Sequence, residues 1–116
     1  MTMTTNHNLN IYCKYTTLVN KINSKYGLTN LQKQIFDEIT IACERGDRLT
    51  VTEILELNHF ASHTTLHAAL KELIAKGLVR REIDIDERIK LLSLTEIGIE
   101  RCQEISNSLA ECLTEA

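Results

Sequence analysis

Apolar residues recur every three to four positions over most of this chain, which is the spacing of amphipathic helices. A first helix is predicted over residues 9–26 and a last helix over residues 95–113. The stripe of the first helix is formed by Ile11, Tyr15, Leu18 and Ile22. The stripe of the last helix is formed by Cys102, Ile105 and Leu109. The chain is therefore expected to carry a long amphipathic helix at each end of its folded part.

Three further helices are predicted between these two, each with its own N-terminal cap. Thr29 is a good cap for the second helix, and Thr50 forms a capping box with Glu53 for a short third helix. Ser62 caps a fourth helix over residues 62–76, which Gly77 ends. The apolar positions of this fourth helix are Leu66, Ala69, Leu70, Leu73 and Ile74.

After Gly77 the pattern changes from helical spacing to alternation, which is typical of strands. The apolar positions of the first predicted strand are Leu78, Val79, Ile83 and Ile85, and those of the second are Ile89, Leu91, Leu92 and Leu94. An acidic turn over residues 84–87 joins them into a wing over residues 79–94, and residues 48–51 are a candidate short edge strand. The predicted fold is mainly α with a small β-hairpin: a winged helix-turn-helix with an additional N-terminal and C-terminal helix. A flexible stretch over residues 1–8 is expected before a single domain over residues 9–116.

Composition excludes several other classes of protein. The chain has 116 residues, of which 43% are hydrophobic, and no apolar run approaches the about 20 residues of a membrane span. None of the four cysteines forms a C-x-x-C pair, so we expect reduced thiols in a cytoplasmic protein. His59, His63 and His67 have a spacing that suits zinc, but no nearby Cys or well-placed carboxylate completes a ligand set. No metal and no cofactor are therefore expected.

The fourth helix is the candidate recognition helix, because the second helix of a helix-turn-helix lies in the major groove and reads base edges there. Its outward and N-terminal positions are the candidates for contact with bases and phosphates, with Lys71 suited to a phosphate. These positions are Ser62, His63, Thr64, Thr65, His67 and Lys71. The net charge of −3 argues weakly against nucleic acid, but the acidity is concentrated in residues 91–116.

The wing supplies the remaining candidate contacts. An arginine at a hairpin tip can enter the minor groove, whose negative potential attracts it, and Arg88 is so placed. Asp86 is expected to orient Arg88, and Arg80, Arg81 and Lys90 are weaker candidates for phosphate contact.

Between Leu28 and Gly98 the sequence resembles the MarR family of bacterial transcriptional regulators. The resemblance is carried by Leu28-Thr29 with Gln32, the run Leu49–Ile54, Ser62 with Thr65-Leu66, the run Leu73–Arg81, the wing residues Asp86 and Arg88, and the run Leu94–Gly98. It implies a regulator that binds double-stranded DNA sequence-specifically. The family also allows a ligand-sensing regulator, but the sequence does not identify a small-molecule effector. An enzyme is not expected, because the sequence has no Gly-rich phosphate loop, no nucleophile elbow and no paired-carboxylate motif. The terminal stripes at residues 11, 15, 18 and 22 and at residues 102, 105 and 109 are expected to be buried by a second copy, giving a homodimer.

Two alternatives remain open at this level. A winged helix can also act as a protein-interaction adaptor without specific DNA binding, and Ala68 and Glu87 favour that reading because family members often carry arginine at these places. A continuous positive strip across Lys71, Arg81, Arg88 and Lys90 favours DNA, whereas interruption by Glu72, Asp84 and Glu87 favours the adaptor. Cys13, between Tyr12 and Tyr15, resembles the reactive cysteine of peroxide sensors in the family, but a packed, inert thiol is the preferred interpretation.

Overall fold

The computed structural model describes residues 7–83, 85 and 88–114. Its elements are α1 (His7–Lys25), α2 (Asn30–Glu44), α3 (Val51–Leu55), α4 (His63–Ala75), β1 (Val79–Ile83), β2 (Lys90–Leu94) and α5 (Glu96–Thr114). This order confirms the predicted winged helix-turn-helix with a helix added at each end. The chain forms two compact units: the segment up to Gly27 together with the segment from Glu100 onward, and Leu28–Ile99. Of the expected flexible stretch over residues 1–8, residues 1–6 lie outside the described residues, whereas residues 7 and 8 belong to α1.

Local side-chain caps define the starts of the helices in the unit 28–99, as the sequence predicts. Thr29 accepts a hydrogen bond from the backbone N–H of Gln32, and the Gln32 side chain accepts one in return from the N–H of Thr29. Thr50 and Glu53 form the same reciprocal box at α3. Ser62 caps α4 by accepting from the N–H of Thr65 at 3.3 Å. Each cap satisfies backbone donors that a helix start otherwise leaves unpaired.

A compact apolar core holds α4 in place within the unit 28–99. It is formed by Ile35, Phe36, Ile39, Ile54, Leu66, Leu73, Leu78, Val79 and Leu92, each at most 2% exposed. Burial of one such side chain contributes about 1.5–3 kcal/mol. The chain leaves α4 through Gly77, whose φ of 76° is a left-handed conformation that glycine adopts without strain. Because α4, α2 and both strands contribute to this core, α4 and the hairpin pack together within the unit 28–99.

The hairpin is antiparallel, and its register pairs Val79 with Leu94, Arg81 with Leu92 and Ile83 with Lys90. Alternation along a strand places residues 79, 81 and 83 on one face and residues 80 and 82 on the other. The predicted strand over residues 48–51 is reduced to one bridge between Thr50 and Leu91. The predicted strands are also too long, since Leu78 and Ile85 lie outside β1 and Ile89 lies outside β2.

Polar contacts join the two helical segments of the other unit. Arg101 is 3% exposed and donates from Nη2 and Nε to Oδ1 of Asn23, at 2.8 and 3.2 Å. Glu104 accepts from Lys25 at 2.6 Å and from the hydroxyl of Tyr26. The hydrogen bonds that Lys25 and Tyr26 donate lower the pKa of Glu104. The hydrogen bond between Tyr26 and Glu104 raises the pKa of Tyr26 to about 12. This cluster therefore fixes the end of α1 against α5.

The cysteines differ in burial. Cys112 is buried and Cys43 and Cys102 are half-buried, but Cys13 is exposed, so the expectation of a packed thiol at Cys13 is wrong for the single chain. Among the residues that the structure describes, no helix is both long and apolar enough to span a membrane.

Candidate nucleic-acid interface

Helix α4 presents a polar surface opposite its buried face. Leu66, Leu70 and Leu73 are buried and fix the rotation of the helix about its axis. The predicted contact residues His63, Thr64, Thr65, His67 and Lys71 are all exposed. The hydroxyl of Ser62 donates a hydrogen bond to Oγ1 of Thr65 at 2.9 Å, which adds to the role of Ser62 as the cap of the helix.

A groove of about 490 Å³ lies between α4 and the hairpin. We call it the helix groove; it is lined by Val51, His67, Leu70, Lys71, Ile74, Ala75 and Arg81. Four of these lining residues are apolar, and His67, Lys71 and Arg81 supply the polar groups. The structure thus brings together Lys71 of α4 and Arg81 of β1, which the sequence predicts separately.

A second groove, also of about 490 Å³, lies between α3 and the wing. We call it the wing groove; it is lined by Thr50, Val51, Thr52, Arg88, Ile89 and Lys90. Val51 lines both grooves, so the two are adjacent. Lys71 and Arg81 line one groove and Arg88 and Lys90 line the other, so cationic side chains line both of these adjacent grooves.

The acidic groups that could interrupt this surface divide into two sets. Glu72 lines neither groove, since its carboxylate accepts a hydrogen bond from Nε2 of Gln32 in α2 at 3.0 Å. Asp84, Asp86 and Glu87 lie outside the described residues, and so does the expected pairing of Asp86 with Arg88. Within the described residues of α4, the one acidic side chain is turned to α2.

The opposite face of the hairpin has a different electrostatic character. Glu82 accepts from Arg48 and from Nε of Arg80, the latter at 2.9 Å. The hydrogen bond from Arg48, with a further contribution from Arg80, lowers the pKa of Glu82. Arg80, a weaker candidate for phosphate contact at the level of sequence, is thus held in an ion pair with Glu82 in the unbound chain.

The position of α3 beside both grooves was not predicted from the sequence. Thr50 and Thr52 line the wing groove, and Val51 joins the two grooves. Among the described residues, no group of His, Cys, Asp and Glu is placed to hold a metal ion, which includes the histidines at positions 59, 63 and 67.

The fold and this surface define a winged helix-turn-helix protein. A model described as the MarR family matches residues 26–88, more than half of the chain. The chain therefore belongs to the MarR family, a family of DNA-binding transcription regulators rather than enzymes. No curated protein matches the sequence.

Solved structures show the same fold at low sequence identity. The chain is similar to S. aureus MepR in a DNA complex, with 20% identity, a TM-score of 0.73 and coverage of 90% of this chain and 76% of that one. A transcriptional regulator from Thermotoga maritima gives 21% identity and a TM-score of 0.70, over 90% and 71% of the two chains. A mutant of E. coli MarR complexed with operator DNA gives 23% identity and a TM-score of 0.62, over 90% and 72%.

Proposed function

We propose that this chain is a homodimeric transcription regulator that binds double-stranded DNA sequence-specifically. Helix α4 lies in the major groove, and the wing over residues 79–94 reaches towards the minor groove. The contacts come from the predicted residues of α4 together with Arg81, Arg88 and Lys90. A bacterial regulator of this kind acts in the cytoplasm, where the chromosome lies.

The observation that carries this proposal is the adjacency of the two cationic grooves across Val51. Lys71, Arg81 and Lys90 form no ion pair within the part of the chain that the structure describes. A cation without an ion-pair partner can contact a phosphate without first breaking a salt bridge. The MepR and MarR structures are complexes of those proteins with DNA, which supports the same partner here.

The homodimer is supported by the apolar surface of the terminal helices. Leu9, Tyr12, Leu109 and Leu113 are exposed large hydrophobic side chains of α1 and α5. Leu109, from the predicted stripe, is 42% exposed, whereas the other stripe residues are half-buried. A second copy would remove this surface from water, and a two-fold dimer would match a palindromic DNA site.

Fluorescence anisotropy with random-sequence duplex DNA at two salt concentrations tests DNA binding. The wild type is compared with a double variant carrying Lys71→Ala and Arg88→Ala. A control carrying Lys14→Ala and Lys21→Ala removes the same charge from α1. We expect the DNA affinity of the wild type to fall steeply as the salt concentration rises, because phosphate contacts release counterions. We expect the double variant with Lys71→Ala and Arg88→Ala to lose binding and the control variant to keep it. Absence of wild-type binding at low salt would refute the proposal and favour a protein partner.

Sedimentation equilibrium tests the homodimer. We expect the wild type to sediment as a dimer and Leu109→Glu to shift it towards monomer, since a carboxylate buried at an apolar contact is costly. Ile41→Glu is the matched control, because Ile41 is an exposed isoleucine of α2 in the other unit. A monomeric wild type, or equal effects of the two variants, would contradict the assignment.

A further inference from the structure

The side chain of Gln32 lies between Glu72 of α4 and Lys76, which is the C-cap of that helix. Gln32 is 4% exposed and donates from Nε2 to Oε2 of Glu72 at 3.0 Å. Its Oε1 accepts from Nζ of Lys76 at 2.7 Å and from the backbone N–H of Thr29 at 3.2 Å. An amide has donors at one end and acceptors at the other, so a carboxylate and an ammonium on opposite sides permit one orientation only.

The position of Glu72 gives this contact a consequence for DNA binding. Residues four apart lie in one row on a helix, so Glu72 continues the exposed row of Thr64 and Ala68. It also directly follows Lys71 of the helix groove. A carboxylate in this row that pointed outward would repel DNA phosphates. Its hydrogen bond to Gln32 turns it to α2 instead.

We propose that Gln32 is a positioning residue for DNA binding, which holds the Glu72 carboxylate against α2 and away from the phosphates. This inference rests on the proposed DNA binding. Lys76 contributes by binding the other end of the same amide, so that its charge polarises the hydrogen bond to Glu72.

The variant Gln32→Glu breaks this contact with the smallest change in shape. A glutamate at this position still forms a capping box with Thr29 and still accepts from Lys76. It places a second carboxylate against Glu72, however, and thereby repels the Glu72 side chain. We expect binding to random-sequence duplex DNA to weaken about fivefold at about 100 mM salt.

A second substitution tests whether the repulsion is the cause. In Gln32→Glu with Glu72→Gln, the hydrogen bond can form again with donor and acceptor exchanged. We expect its DNA affinity to return to that of Glu72→Gln alone. We also expect Glu72→Gln alone to change affinity less than about twofold, because the carboxylate is already held away. The control Gln34→Glu adds the same charge at an exposed position of α2.

Anisotropy is measured below the onset of melting, which circular dichroism determines for each variant. Weakening in Gln32→Glu that exceeds that in Gln34→Glu and is reversed by Glu72→Gln supports the inference. Equal DNA affinities of the Gln32→Glu and Gln34→Glu variants would overturn the inference while leaving DNA binding intact. A loss of affinity in Gln32→Glu that Glu72→Gln does not reverse would have the same consequence. A wild type that does not bind the duplex would overturn the proposed function together with this inference.

Discussion

The two faces of the β-hairpin carry neighbouring arginines that behave differently. Arg81 lines the helix groove beside Lys71, on the face that also carries Ile83, and forms no ion pair within the described residues. Arg80, one residue earlier, is paired with Glu82, which also binds Arg48. We call these the groove face and the paired face. We infer that the availability of a cation, rather than the number of cations, decides which face can bind a polyanion. On this inference a chain with a net charge of −3 can still present cations to DNA on one face of its hairpin.

The largest expected effect comes from removing two positive charges from the groove face. Removal of two positive charges from the paired face is the comparison. Lys71→Ala with Arg81→Ala should weaken DNA binding about 30-fold and lower the salt slope by about two. Arg48→Ala with Arg80→Ala removes the same charge from the paired face and should change affinity less than about threefold. Anisotropy titrations at several salt concentrations measure both quantities. Similar losses in the two variants would show that the distinction between the faces has no bearing on binding.

Arg88→Ala should have the next largest effect. An arginine directed at the minor groove contributes through the groove's negative potential, so we expect a loss of about three- to tenfold. The loss should be greater for a duplex with an A·T-rich segment, whose minor groove is narrower, than for a G·C-rich one. Binding competition between two such duplexes measures this, and an equal loss on both would place Arg88 on the phosphates instead.

Glu82→Gln sharpens the comparison from the paired face. Removing this carboxylate leaves Arg48 and Arg80 available, so DNA affinity should rise by about twofold. The folded pKa of Glu82 is lowered, so its contribution to stability is present above its ordinary pKa of 4.5 and is lost as pH falls through the folded pKa. The difference in melting temperature between wild type and variant should therefore vanish in acid. A difference that persists unchanged at low pH would contradict the role of the ion pairs.

The smallest effect is expected from Tyr26→Phe in the other unit, where a cation is also paired. Loss of the hydrogen bond to Glu104 should lower the free energy of unfolding by about 1 kcal/mol and leave DNA affinity unchanged. The pKa of Tyr26 is raised from 10.0 to about 12, so its contribution is present below pH 10 and is lost as pH rises through 12. Denaturant unfolding at neutral and alkaline pH measures the difference between the two proteins. It should shrink at alkaline pH, and a constant difference would refute this assignment.

The sequence was sufficient for those features that depend on near neighbours. Thr29, Thr50 and Ser62 cap their helices as predicted, because a cap bonds to backbone only three residues away. The hairpin and the exposed face of α4 also follow from local periodicity. The strand over residues 48–51 was overestimated, since pairing with β2 depends on a distant partner and extends to one bridge only.

The candidate site could be predicted only in part. Arg80 and Arg81 are adjacent residues of the same type, so the sequence does not distinguish them. A shift of the strand register by one residue would exchange the faces of the hairpin on which they lie. The sequence shows Gln32 as a residue of a capping box, but its contacts with Glu72 and Lys76 join positions 40 and 44 residues apart. Ion pairing of Arg48 with Glu82 spans 34 residues in the same way. Such contacts depend on how the elements pack, which periodicity does not specify.

We infer that DNA binds the groove face of the hairpin and leaves the paired face free. The most direct test is an NMR titration of the ¹⁵N-labelled protein with duplex DNA, following the side-chain Nε–H signals of the arginines. The account predicts that the signal of Arg81 shifts as DNA is added, while those of Arg48 and Arg80 stay in place. Shifts of Arg48 and Arg80 with no change at Arg81 would contradict it.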